Sequence, residues 1–137
     1  MLLVRSSIRP SRIHGVGCFT EERIRAGQTV WVFDERIDVR VRVSELVHFP
    51  KPTQALLKMY GHEEISEGHR TIVLCGDHAR HMNHSDDPNV VDGNGDIDVA
   101  ARDIEPGEEL TCNYYAFDLD AARKLSACRR RAVAMLP

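Results

Sequence analysis

Three short stretches of this 137-residue chain place groups capable of chemistry at close spacing. The first is His14-Gly15-Val16-Gly17-Cys18-Phe19. Its two glycines let backbone amides and carbonyls come close to a ligand. It is no dinucleotide fingerprint, because the third glycine and the following helix are missing. The second is His81-Met82-Asn83-His84-Ser85-Asp86-Asp87-Pro88-Asn89. Asn83 and His84 offer an amide and an imidazole, and their backbone can read a purine edge. Ser85 to Pro88 is also simply turn-prone. The third is Glu109-Leu110-Thr111-Cys112-Asn113-Tyr114-Tyr115, an apolar strand ending in phenols. Taken alone, it reads as a core strand with an interface aromatic.

Two metal readings compete. His78, His81 and His84 recur every three residues and would form one loose face on a helix. Pro88 limits that helix, and no carboxylate completes a facial triad. Asp92, Asn94 and Asp96 have the spacing of an EF-hand start. Ile97 stands where the loop glycine is required and Asp103 where its glutamate is, so a hairpin turn is the expectation.

In order and residue type, the three stretches resemble the SET-domain family of protein-lysine methyltransferases, over about residues 14 to 115. Asn83-His84-Ser85 with Pro88-Asn89 is similar to the family's Asn-His-Ser-Cys-x-Pro-Asn signature, with Asp86 where Cys is common. Glu109-Leu110-Thr111 with Tyr114 is similar to its Glu-Leu-Thr-(Tyr/Phe)-Asp-Tyr, with Cys112 for the aromatic and Asn113 for the aspartate. The resemblance implies a mainly β (α+β) SET fold of short sheets. It implies a threaded, knot-like C-terminal segment and a helical tail. Residues 1–115 would form the core and 116–137 the tail, a lid without zinc within the same domain.

The resemblance also assigns roles. S-adenosyl-L-methionine is the implied cofactor, along Gly15, Val16 and Gly17 and against Asn83 and His84. Tyr114 aligns with the catalytic tyrosine. Phe117 is expected either to stack on adenine or to anchor the tail helix. Cys112, Tyr60 and Tyr115 are expected at the substrate-lysine pocket, and no metal is implied. The implied partner is a protein or peptide bearing lysine, of histone or histone-like class. A catalytically silent SET-like binding module is the alternative.

Methyl transfer to lysine needs a neutral amine in line with a sulfonium methyl, and exclusion of water. Desolvation in an apolar channel near a sulfonium lowers the amine's pKa. No dedicated base stands out in the sequence. Alignment of the two reactants should then supply most of the acceleration. An aromatic such as Tyr60 can hold both the apolar stem and the ammonium.

Composition bounds the partners. A net charge of −3 provides no global field toward nucleic acid. Arg129-Arg130-Arg131 reads as a solvated helix face near a C-terminus. No stretch is apolar enough for a signal peptide or a membrane span, so a cytoplasmic protein is the expectation. Four scattered cysteines point to reduced thiols.

The positioning elements follow from pattern. Strands are predicted over 2–8, 30–33 and 72–75, with a hairpin at 89–91 and 97–101. Ile37, Val39, Val41 and Val43 alternate with polar residues, the signature of a half-buried strand. Ser44 could cap a short helical turn. Residues 53–60 suit a helix closed by Gly61, and Trp31 reads as core. Ile24-Arg25-Ala26-Gly27 echoes Ile104-Glu105-Pro106-Gly107, and each copy should turn the chain into a strand. In the tail, Leu119, Ala122 and Leu125 have the spacing to dock a helix, and Leu136 could meet a second subunit.

Overall fold

The computed structural model describes residues 1–134, with side chains described through residue 127. The homodimer contact expected at Leu136 lies outside the described residues. Among the described residues, ten short strands make three small sheets. The first sheet contains β1 (Ser6–Pro10), β2 (Val16–Thr20), β7 (Asn83–His84) and β10 (Glu109–Cys112), in the order β1-β2-β10-β7. The second contains β3 (Thr29–Val32), β8 (Val90–Asp92) and β9 (Ile97–Ala100), with β9 central. The third contains β4 (Val39–Arg42), β5 (His62–Ser66) and β6 (His69–Leu74), with β6 central. Two helices, α1 (Lys51–Tyr60) and α2 (Ala121–Ala134), complete the fold. Neither is long and apolar enough to cross a membrane.

The core gathers apolar residues from β2, β3, β8, β9 and β10 and from the segments between strands. Cys18, Ile24, Val30, Val90, Ile104 and Leu110 are almost fully excluded from water. The two echoed turns meet at its centre. Ile24 and Ile104 are each 0% exposed and exchange both backbone hydrogen bonds. Gly27 and Gly107 hold φ of +80° and +87°, a conformation glycine adopts without a Cβ clash. The surroundings match as well. Gly27 and Gln28 bond Ala100 as Gly107 and Glu108 bond Thr20. The chain is therefore built around an internal pseudo-twofold, relating β2–turn–β3 to β9–turn–β10.

β10 lies between an antiparallel partner, β2, and a parallel one, β7. After β7 the chain bonds back to β10. Ser85 N–H donates to the Cys112 carbonyl at 3.0 Å. The Asn89 amide spans the Glu109 carbonyl at 2.8 Å and the Thr111 N–H at 2.9 Å. Residues 83–89 thus wrap the strand that carries the third motif.

Several sequence expectations are corrected. The first strand begins at Ser6, because Leu2 makes only an isolated bridge to Trp31. In the 37–43 stretch it is Asp38 that turns inward, 2% exposed, while Ile37 and Val39 face out. Asp38 takes the N-terminal ammonium at 2.6 Å and the N–H groups of Asp34 and Gly76 at 3.0 Å, so its charge is buried with partners. Ser44 caps nothing; the Val43–His48 turn starts from Arg42 without a side-chain cap. Helix α1 starts at Lys51, with Pro52 in its first turn, where a missing N–H is harmless.

The tail also docks differently. Leu119 is 58% exposed and Ala122 is exposed. The anchors are Ala121 and a polar set. Buried Asp118 accepts from Glu63 N–H at 3.0 Å and from the Lys124 ammonium at 2.6 Å. Lys124 also donates to the Gly61 carbonyl, and Leu119 N–H to the Glu63 carbonyl at 2.9 Å. The tail is thereby stitched to the edge of β5 and the end of α1.

Candidate active site

Asn83 is the hub of the first motif pair. Its side-chain N–H groups lie 3.1 Å from the His14 carbonyl, 3.0 Å from the Val16 carbonyl and 2.8 Å from Glu109 Oε1. Glu109 also takes the Ser11 hydroxyl at 2.9 Å. Its carboxylate fills the space beside Gly17, where a Cβ would come within 2.2 Å of Oε1. Gly17 is therefore a close-approach glycine. Gly15 has φ of +50° and open space where a Cβ would stand. The loop is held from within, while Gly15 and Val16 stay exposed outside.

The next shell is aromatic. His84 Nδ1 accepts Tyr114 N–H at 3.1 Å, so its proton belongs on Nε2, which faces Asp86 Oδ1 at 3.0 Å. The His84 ring lies 5.5 Å from those of Tyr114 and Tyr115. The Tyr114 hydroxyl donates to the Met82 carbonyl at 2.6 Å. Asn113 Oδ1 accepts Tyr115 N–H at 3.0 Å, a turn cap that an amide oxygen serves without charge.

On the other side of Tyr114 lies a cavity of about 290 Å³. Tyr60, His62, Cys112, Tyr114 and Phe117 form much of its wall, and Ala116, Asp118 and Lys124 of the tail help close it. Phe117 meets His62 edge-on at 5.0 Å and Tyr114 at 6.1 Å. Trp31, Cys75 and Asp98 add to the lining from the sheet. Burial pushes the Cys75 thiol up to about 12, and raises Cys112 further, with Asp98 the next cause for Cys112. Both thiols are neutral walls.

The predicted residues therefore separate into two groups. Gly15, Val16, Gly17, Asn83 and His84 gather at one locus, with Gly17 and Asn83 buried beneath exposed Gly15 and Val16. Tyr60, Cys112 and Phe117 line the cavity, and Tyr114 touches both. Tyr115, expected at the lysine pocket, stands 61% exposed against His84 and is absent from the cavity lining. Phe117 sits with Tyr60 and Cys112 on the cavity wall. The histidine triplet disperses: His78 faces Ser6, His81 faces Tyr60, and His84 faces Tyr114. Among the described residues no metal-holding cluster forms. Glu109 and Asn89 are legible in the sequence only as motif letters. His62 and Asp98 carried no signal, since their neighbours are remote in sequence.

Comparisons with known proteins bear on the fold and the family. The family model for the SET domain matches residues 15–115. No curated protein matches the sequence. Among solved structures, a Plasmodium falciparum chain assigned as a histone methyltransferase superposes with a TM-score of 0.58 at 20% identity, over 82% of this chain and 95% of that one. Polycomb Repressive Complex 2 of Chaetomium thermophilum, bound to GSK126, gives 0.64 at 22% identity. That match covers 90% of this chain and 17% of the Polycomb chain. The complex in an autoinhibited conformation bound to S-adenosylmethionine gives 0.63 at 22% identity, over 93% and 17%. At such identities the likeness is one of fold, and the matched family is one of methyltransferases. With its matched segment spanning all three motifs, the chain belongs to the SET-domain family.

Proposed function

We propose that this chain transfers methyl groups from S-adenosyl-L-methionine to the side-chain amine of a lysine in a protein or peptide. The observation that carries this reading is Tyr114. Its ring packs on His84, beside the Asn83-held loop, and it also lines the tail-closed cavity. One phenol thus serves two compartments.

The residues fit the cofactor. Gly15 leaves an open ledge, and Asn83 fixes the carbonyls of the loop beneath it. Gly15, Val16, Gly17, Asn83 and His84 would hold the cofactor, which when bound supplies the methyl on a sulfonium. The cavity would take the lysine stem against Tyr60, Cys112 and Phe117. Tyr114, oriented by Met82, would keep amine and methyl in line. The tail excludes water through Asp118 and Lys124, which keeps the amine desolvated. Leu56, Met59 and Tyr60 are exposed on α1, Met59 and Tyr60 at the cavity rim, and offer apolar contact to the flanking peptide.

Labelled cofactor incubated with a host lysate and with histone peptides tests the activity, with mass spectrometry locating the methylated side chain. Calorimetry with the cofactor and its demethylated product tests binding separately. Cofactor binding without any transfer would favour the silent module. No heat and no thermal shift at millimolar ligand would remove the reading altogether.

A further inference from the structure

The cavity contains charge that the motifs do not explain. Glu64, Asp92, Asp98 and Asp118 line it, against Arg80, Lys124 and His62. Most of these are already engaged. Asp118 holds Lys124 at 2.6 Å, and Glu64 holds Arg40 at 3.1 Å. Arg80 donates to the Cys75 carbonyl at 2.9 Å, and Asp92 accepts Gly95 N–H at 2.6 Å. The Asp98 carboxylate has no hydrogen-bond donor among the described residues. Directly across the sheet, in register with it, stands Trp31. Trp31 is 5% exposed, and its indole N–H is a buried donor with no acceptor. An unfilled acceptor and an unfilled donor therefore share one cavity wall. The indole N–H is the buried group here, whereas the half-buried Asp98 carboxylate opens onto the cavity, where a cationic guest can meet it.

The β-bulge between Thr29 and Trp31 creates this pairing. In the matching copy, Glu109 and Leu110 face Phe19 and Cys18 without a bulge. The same register in β3 would set Val30, not Trp31, opposite Asp98. The inserted residue brings the indole beside the carboxylate.

We infer that Asp98 is the carboxylate that anchors the substrate's ammonium in this cavity and accepts its proton, with Trp31 forming the wall beside it. This rests on the lysine-methylation reading. In the step, one N–H bond of the ammonium breaks and its proton passes to an Asp98 oxygen. The electron pair stays on nitrogen and, with the cofactor bound, would form the new N–CH₃ bond as the sulfonium C–S bond breaks. The proton then leaves to water at the cavity mouth.

The electrostatics support this role. Burial, and then the Asp92 carboxylate across the hairpin, push Asp98 up to about 6. His62 from β5 and the N-terminal ammonium oppose the rise. The thiols of Cys75 and Cys112 face it as neutral groups. Asp98 is thus ionised at neutral pH and a stronger base than an ordinary carboxylate.

Trp31 is the only tryptophan, so its fluorescence reports on the subsite without any methyl transfer. The test titrates the intact chain with n-butylammonium, and with n-butanol as the neutral isostere. A saturable change is expected with the ammonium and not with the alcohol. It should weaken as pH falls through about 6, and Asp98→Asn should weaken it about tenfold or more and abolish the pH dependence. Equal responses to amine and alcohol, or an unaltered response in the variant, would overturn the proposal. The wild-type pH series decides the matter even if the variant fails to fold: a pH-independent response overturns it. Ammonium binding without methyl transfer would instead refute the lysine-methylation reading and leave the subsite standing.

Discussion

The two halves of the pseudo-twofold use one device for different ends. In each, a strand runs into a turn capped by a buried isoleucine and a left-handed glycine, and a second strand leaves. In the first half the leaving strand, β3, pairs with β9 along its length, and residues 1–3 bond to its other edge. In the second half β10 pairs with β2 only at Glu109 and Leu110, then continues along β7. That change of partner brings Thr111 beside Asn83 and Cys112 beside His84. A rigid turn can therefore be copied, and the candidate site lodged where the copy departs from its template. The bulge in β3 is the reciprocal departure, and it delivers Trp31 to the cavity.

The largest effect should fall on what the halves share. Ile24→Ala and Ile104→Ala should each cost about 2–5 kcal/mol, as for other fully buried large-to-small changes. Urea unfolding measures both. Because the two side chains are neighbours, the double variant should be non-additive. A cost at Ile24 several-fold larger than at Ile104 would break the equivalence of the halves.

Next come the ends of the leaving strands. Tyr114→Phe removes the hydroxyl bonded to Met82 and should slow methyl transfer by about 10²–10³-fold, the range for one oriented polar group. Cofactor affinity should change little. Asp34 holds the matched position after β3, paired with exposed Arg36. Asp34→Asn should leave the rate unchanged. Steady-state kinetics with calorimetry read both, and a Tyr114→Phe enzyme at full speed would make that tyrosine structural.

How much of this was legible follows from how local each signal is. The echo of Ile24 to Gly27 at Ile104 to Gly107 is visible in the sequence, but not that the copies bond to each other. Asn83, Tyr114 and Cys112 are legible as motif letters. Their partners are harder, because Glu109 reaches Ser11 and Asn83 across the fold. Asp98, between Ile97 and Val99, looks like the solvent face of a hairpin. Asp38 misleads likewise, since strand periodicity cannot foresee an N-terminal ammonium arriving to pair it. The tail misleads in the opposite sense. Its apolar spacing at Leu119, Ala122 and Leu125 is real, yet Asp118 and Lys124 make the attachment.

A medium effect should appear at the matched positions Cys18 and Asp98. Cys18 is a core thiol, whereas Asp98 is a carboxylate held near a pKa of about 6. The fold therefore favours protonated Asp98. Between about pH 4 and pH 6 the folded chain binds more protons there than the unfolded chain, so this group's contribution falls as pH rises. Asp98→Asn should stabilise the protein at pH 7.5 by on the order of 2 kcal/mol and have little effect below about pH 4. Thermal melts across that range measure it. A variant less stable at pH 7.5 would mean that Asp98 is a structural anchor.

The smallest change concerns which product forms. Cys112 ends β10 on the cavity wall, where the matched residue of β3 is Val32. A thiol leaves the amine more room than a phenol would, so di- or trimethyl product should form. Cys112→Tyr should place a ring and a hydroxyl beside Tyr114 and restrict rotation of a methylated amine. The product should shift toward monomethyl while the first transfer slows by less than about tenfold, a difference of only about 1 kcal/mol between successive steps. Mass spectrometry of one peptide over time resolves this. If the mono- to trimethyl ratio stays fixed, cavity width at this position does not set multiplicity, and control must lie elsewhere on the cavity wall, with His62 and Phe117 the next positions to vary.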